Sequence, residues 1–221
     1  MDVRTGLSRQ SVVVGCALLL AVACMVVLSA RARRQPIDVG FWFEPVSYDA
    51  SEVLVDRLGG PLADPDLARI RAVALEELQR VFGGTRVVVT ERPDATHRIR
   101  VVQELRNPRF ARVPGPAGES RALPGLGGQS TVSFRTLANN AIRYAPPGTA
   151  RDEMVLAIGR GVGRTAVHEL AHQLLGSLDL HRTTDRTSYE YRSASRAEHY
   201  YGRLHWAFVW PELERRIAAT R

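Results

Sequence analysis

His168-Glu169-Leu170-Ala171-His172 places two imidazoles and a carboxylate within five residues. On a helix, positions four apart lie on one face, one turn from each other, so both histidines can reach a single metal ion. Glu169 falls one position round from the first histidine, where its carboxylate can touch a water on the metal without being a ligand. Zinc lowers the pKa of such a water, and the carboxylate can take its proton as the water attacks a polarised carbonyl. The pattern predicts zinc-assisted hydrolysis with His168 and His172 as ligands and Glu169 as general base. Five residues of three fixed types also occur on ordinary amphipathic helices, so the flanking chain has to decide.

Those flanks supply a helix. Val167, Leu170, Ala171, Leu174 and Leu175 point away from the two histidines, as the buried side of a core-packed helix requires. The helical pattern begins at Arg151, and Gly176 suits a left-handed C-cap one turn past His172. A helix ending there lets the chain turn back and deliver a third ligand. Gly159, Gly161 and Gly163 interrupt the pattern, either for close packing on a sheet or as a break just ahead of the motif. The same glycines do not make a phosphate loop, because Ile158 stands where the first glycine is needed and Arg164 where the lysine is.

The elements that must position this helix lie upstream. Residues 38–48 are aromatic and extended in character and predict an opening strand. Asp64-Pro65 supplies an N-cap and an N1 proline; Leu67, Ile70, Ala74, Leu78, Val81 and Phe82 follow at helical spacing until Gly83-Gly84 stops them. Strands are expected over 86–90 and 97–105. Residues 106–130 are rich in proline and glycine without periodicity, which marks a candidate substrate-side flap. Two short strands, 131–137 and 141–144, are expected to flank a turn at Ala138-Asn139-Asn140. Ala197, Tyr201, Leu204 and Phe208 predict a helix over 195–208. The expected fold class is α+β: an N-terminal transmembrane helix, then one domain over 37–221 with a mixed four- to five-stranded sheet packed on a backing helix and the motif helix.

This order, closed by His-Glu-x-x-His, resembles the N-terminal subdomain of zincin metallopeptidases over residues 38–181. Within that clan it is most similar to metzincins, including the archaemetzincins. The resemblance implies a zincin-like peptidase domain in which one edge strand binds an extended substrate through backbone hydrogen bonds. Residues 128–134 or 141–144 are the segments expected to do so. The chain departs from the metzincin pattern after the motif. Its glycine falls four residues past the second histidine, at Gly176, and its next histidine nine past, at His181; no methionine follows Met154, so the methionine turn is missing.

His181 is the first candidate for the third ligand. Asp179 offers a carboxylate alternative on the same stretch. The gluzincins, where a glutamate on a later helix completes the site, point instead to Glu198, with Glu190 in the preceding loop. Tyr189, Tyr191, Tyr200 and Tyr201, with His199 and His205, make the C-terminal segment aromatic, and one of them could stabilise an oxyanion. No particular one is singled out.

Residues 11–30 carry no charge and are almost entirely apolar, long enough at 1.5 Å per residue to span about 30 Å. They predict a single-pass membrane protein anchored through residues 1–36, with the catalytic domain outside the cytoplasm. A cleaved signal peptide ending at Ala30-Arg31-Ala32, or a lipoprotein box at Ala21-Val22-Ala23-Cys24, are the alternatives. Cys16 and Cys24, the only cysteines, both fall in this run. Any zinc site in the domain must therefore be built from histidine and carboxylate. The net charge of +7 is misleading about partners, since residues 1–36 hold five arginines against Asp2. All 30 basic residues are arginine, and Arg98 and Arg100 alternate with Ile99 and Val101 as a strand face would. Nucleic-acid binding is not expected.

Two function classes remain at this point. One is a zinc (Zn2+) metallopeptidase, an endopeptidase acting on a peptide or protein substrate. The other is a catalytically inactive zincin-like module that binds peptides or serves a structural role. An intact Glu169 favours the first, because a binding module has no need of a base there. Nothing in the sequence sets an oligomeric state.

Overall fold

Alternation of apolar and polar residues puts Ile99 and Val101 of the third strand wholly inside, with Arg98 and Arg100 on its other face. The same logic builds a five-stranded sheet from β1 (Ile37–Phe43), β2 (Val87–Thr90), β3 (His97–Val102), β4 (Gly118–Leu123) and β5 (Gly127–Ser133). Among the described residues six helices join it: α1 (Glu52–Leu58), α2 (Asp64–Phe82), α3 (Phe134–Tyr144), α4 (Arg151–Leu175), α5 (Glu198–Tyr201) and α6 (Trp210–Ile217). The computed structural model describes residues 35–105, 115–123, 127–176 and 180–218. Ile37–Ala218 forms one compact unit.

The sheet is mixed, in the order β2-β1-β3-β5-β4. β1 runs parallel to both β2 and β3, β3 runs parallel to β5, and only the terminal strand β4 is antiparallel, paired with β5. The short passage from β2 to β3 must cross β1. It does so at Gly40, where a Cβ would collide with the Arg92 carbonyl.

α2 and α4 form the layer behind the sheet. Ile70, Ala74, Leu78 and Phe82 of α2 are buried against a helix α4 whose own core side includes Val155, Ile158, Val162, Ala166 and Leu170. The glycines of α4 do not break it, since the helix runs uninterrupted for 25 residues. They serve close contact, though with another helix and not with the sheet. A Cβ on Gly159 would lie 2.8 Å from Val73 Cβ, and one on Gly163 would lie 2.6 Å from the Ala74 carbonyl oxygen. Gly161 faces the ring of Tyr200 on another side.

Several expectations are corrected. Residues 134–144 are a helix, not a strand of a hairpin: Phe134, Leu137, Ala138, Ala141 and Ile142 are buried at the i, i+3, i+4, i+7, i+8 spacing of a helix face. Asn139-Asn140, read as a turn, sits in its middle. Helix α1 was not foreseen; Gly59 ends it at φ 82°. The 195–208 stretch is helical only over Glu198–Tyr201; past it, His205 forms an isolated parallel bridge with Ser188. At the start of α2 it is Asp66, not Asp64, that caps, accepting the Ala63 N–H at 3.0 Å.

The transmembrane helix and the single-pass membrane placement are also withdrawn. No helix among the described residues is long and apolar enough to cross a membrane. The longest, α4, carries Arg151, Asp152, Glu153, Arg160, Arg164 and Glu169, charges that hydrocarbon would not accept. Residues 11–30 lie outside the described residues.

Candidate metal centre

α4 carries His168 and His172 one turn apart near its C-terminal end, and ends just after them. Gly176, at φ 65°, donates its N–H to the His172 carbonyl at 3.0 Å and turns the chain out of the helix. The returning chain is pinned by Leu180, which is wholly buried, and its next residue, His181, swings over the helix. The three imidazoles converge through the same atom. Nε2 of His168 lies 3.1 Å from Nε2 of His172 and 3.0 Å from Nε2 of His181. The His168 and His181 rings stack 10° from parallel, with the His172 ring edge-on to both.

The tautomer of His168 follows from its other nitrogen. Nδ1 is 2.6 Å from the Tyr189 carbonyl oxygen, which can only accept, so Nδ1 carries the proton and Nε2 is left bare. Burial, then the neighbouring His172 charge, push the His168 pKa down to about 3, which keeps the ring neutral. His181 is exposed, yet burial of its nitrogen, His172 and then Arg192 hold its pKa below the usual value as well. Three imidazoles, one of them with a carbonyl behind it, are a donor set that zinc, copper, iron or nickel accepts. Tetrahedral zinc with nitrogen ligands at 2.0–2.1 Å would set the donors about 3.3 Å apart. The His168–His172 and His168–His181 separations are within a few tenths of an ångström of that value, and all three donors lie within 4.8 Å of one another, so the residues fit a metal of this class.

Glu169 projects to the neighbouring side, against the sheet. The Ser120 hydroxyl on β4 lies 2.7 Å from Oε2 and 2.5 Å from the Ser130 hydroxyl on β5. Ser130 in turn accepts from the Gln173 amide at 2.6 Å, while His97 Nδ1 faces Gln173 Oε1 at 3.1 Å. The Gln173 N–H can only donate, so the chain of hydrogen bonds runs from Gln173 through Ser130 and Ser120 to the Glu169 carboxylate. Glu169 itself is 6% exposed. Burial raises its pKa to about 7; the Ser120 hydrogen bond opposes this, and the Glu119 charge adds to it. Gly118 leaves the room, since a Cβ there would lie 2.5 Å from Oε1.

The three histidines, Glu169 and Ser120 share a cavity of about 380 Å³ between β4, α4 and the segment 189–196. Other candidates named from the sequence are occupied elsewhere. Glu198 makes a two-pronged ion pair with Arg186 at 3.1 Å, and the buried Glu190 accepts the N–H groups of Ala207, Phe208 and Val209. Asp179 lies outside the described residues. The Tyr189 hydroxyl accepts from Arg80, Tyr201 donates to the Ala141 carbonyl, and His205 pairs with Asp185. Among the described residues, Tyr189, Tyr191 and His199 of the aromatic candidates line the cavity, whereas Tyr200, Tyr201 and His205 do not. His199 is buried, with Nε2 beside Thr165 Oγ1 and the Gly161 carbonyl.

Sequence reasoning missed Ser120, Ser130 and Gln173 because they meet only once strand and helix are assembled. The Tyr189 contribution is a backbone carbonyl, which no side-chain pattern can signal. The substrate-side edge was also misplaced, because residues 128–134 lie within β5 and the start of α3 and 141–144 end a helix, whereas the terminal strand beside Glu169 is β4. Comparison with protein-family models, with curated proteins and with solved structures gives no match to this chain.

Proposed function

We propose that the chain is a zinc-dependent metallopeptidase, a zincin-type hydrolase of peptide bonds. One observation carries the reading: three imidazole Nε2 atoms converge in the same cavity as a buried carboxylate one residue from the first ligand. His168, His172 and His181 would hold the metal, which when bound would supply a Lewis acid to polarise a carbonyl and acidify water. Glu169 would take the proton from the attacking water and return it to the leaving amine. Its pKa of about 7 suits a group that must both accept and give a proton near neutral pH. Ser120 and the hydrogen-bond chain behind it hold the carboxylate at a fixed place. β4 is a terminal strand of the sheet, the one beside Glu169, so its outer edge can align an extended peptide by backbone hydrogen bonds.

The test is a pair of proteins. The natural chain should bind about one zinc and cleave a generic peptide library, and Glu169→Gln should keep the metal and lose cleavage. Absence of bound zinc after loading, or equal cleavage by the two proteins, would defeat the reading. Peptide binding without hydrolysis by both would favour the inactive binding module.

A further inference from the structure

The cavity is electrically lopsided. The segment 189–196 forms one wall and brings Arg192 and Arg196 to the same space as the histidines. Arg196 is 1% exposed. Its guanidinium donates to the Ser188 carbonyl at 2.9 Å and to the Ser193 carbonyl, and it lies 4.7 Å above the Tyr191 ring. Its Nε has no partner among the described residues. Carbonyls satisfy hydrogen bonds but do not cancel a charge; the carboxylate that acts on Arg196 is Glu198, which Arg186 already engages, so this buried cation is only partly offset. Arg164 makes the contrast, because it is equally buried but has Glu77 at 3.2 Å. Arg192 is exposed on the same wall, and among the described residues no carboxylate lies within the 4.0 Å ion-pair distance of either arginine. The β4 wall instead brings an exposed carboxylate, Glu119.

We propose that the 189–196 wall is a carboxylate-binding subsite for the peptide substrate, with Arg192 making the contact and Arg196 supplying a fixed positive charge within the wall. The inference rests on the peptidase reading. A carboxylate from an acidic side chain or from the C-terminus of the peptide would serve, since the guanidinium recognises the same two oxygens in either. Glu119 repels that carboxylate from the β4 wall, so the charge pattern sets the direction in which an acidic peptide lies.

The experiment uses zinc-loaded Glu169→Gln protein, which cannot turn over, and calorimetry on synthetic peptides. One otherwise neutral peptide carries Glu or Gln at a scanned position, each with a free or an amidated C-terminus. The carboxylate-bearing forms should bind about tenfold or more tightly than their neutral counterparts, with the difference shrinking in high salt. Adding Arg192→Glu should reverse the preference, while Arg203→Ala, an exposed arginine off the cavity wall, should retain it. Discrimination by the side-chain pair alone identifies an acidic residue, and discrimination by the terminal pair alone identifies the C-terminal carboxylate. Equal binding of charged and neutral peptides, a preference that survives Arg192→Glu, or no peptide binding overturns the proposal. Carboxylate preference without cleavage by the natural chain removes the peptidase reading and leaves the subsite standing.

Discussion

Ser120 on the last strand of the sheet and Glu169 on the central helix are joined side chain to side chain at 2.7 Å. The terminal strand therefore fixes the position of the carboxylate proposed as the base, as well as offering its own edge. Replacing Ser120 by alanine leaves Oε2 buried without this donor. A hydrogen bond to a charged group contributes about 1.5–3 kcal/mol, so peptide hydrolysis should fall about ten- to a hundredfold. Zinc content, measured by atomic absorption, should remain that of the natural chain, because no ligand is touched.

The sequence carried the long helix and its glycine cap because both depend on local spacing and local backbone freedom. α4 and the φ of 65° at Gly176 follow from that. α3 was missed because two adjacent asparagines read as a turn outweighed an apolar stripe that is helical when Phe134 to Ile142 are counted together. β4 was hidden for a different reason. Its Gly118, Glu119, Ser120 and Arg121 show no apolar alternation, since an edge strand lining a cavity buries little on its own. The third imidazole could be ranked from the sequence but not placed. Its approach depends on how the chain leaves Gly176 and where Leu180 anchors it, which are tertiary facts.

Gly163→Ala tests whether the glycines of α4 exist for helix contact. The added Cβ would stand 2.6 Å from the Ala74 carbonyl oxygen and 2.7 Å from Glu77 Cβ, and neither the α2 backbone nor the buried Glu77–Arg164 pair can yield easily. In an isolated helix the same change would stabilise. Here overpacking should win, lowering stability by about 1–3 kcal/mol in urea titration.

Asp66 ties the first turn of α2 to the first turn of α4, accepting from the Ala63 N–H at 3.0 Å and from Arg151 at 2.7 Å. Burial alone would raise its pKa; the Ala63 N–H and Arg151 outweigh it and hold the carboxyl below its ordinary value. Its folded pKa is thus depressed. The stability it contributes is present above the unfolded value of about 3.9 and is lost as pH falls through the lower folded value. Asp66→Asn should cost about 0.5–1 kcal/mol at pH 7 once solvent screening is allowed for. The difference from the natural chain should vanish in acid. A gap of equal size at every pH in urea unfolding would rule out this charge linkage.

His181 and Glu198 were rival candidates for the third ligand position, and the structure separates them by what each touches. His181 Nε2 lies 3.0 Å from His168 Nε2, whereas Glu198 is engaged by Arg186. His181→Ala should weaken zinc binding by more than the about 10–100-fold typical of losing a partner behind a ligand. Glu198→Ala removes an exposed ion pair and should change stability by no more than about 1 kcal/mol, with zinc affinity as in the natural chain. Competition with a chelating dye measures both affinities in one titration. If Glu198→Ala released the metal and His181→Ala kept it, the site would have to be rebuilt around the later helix.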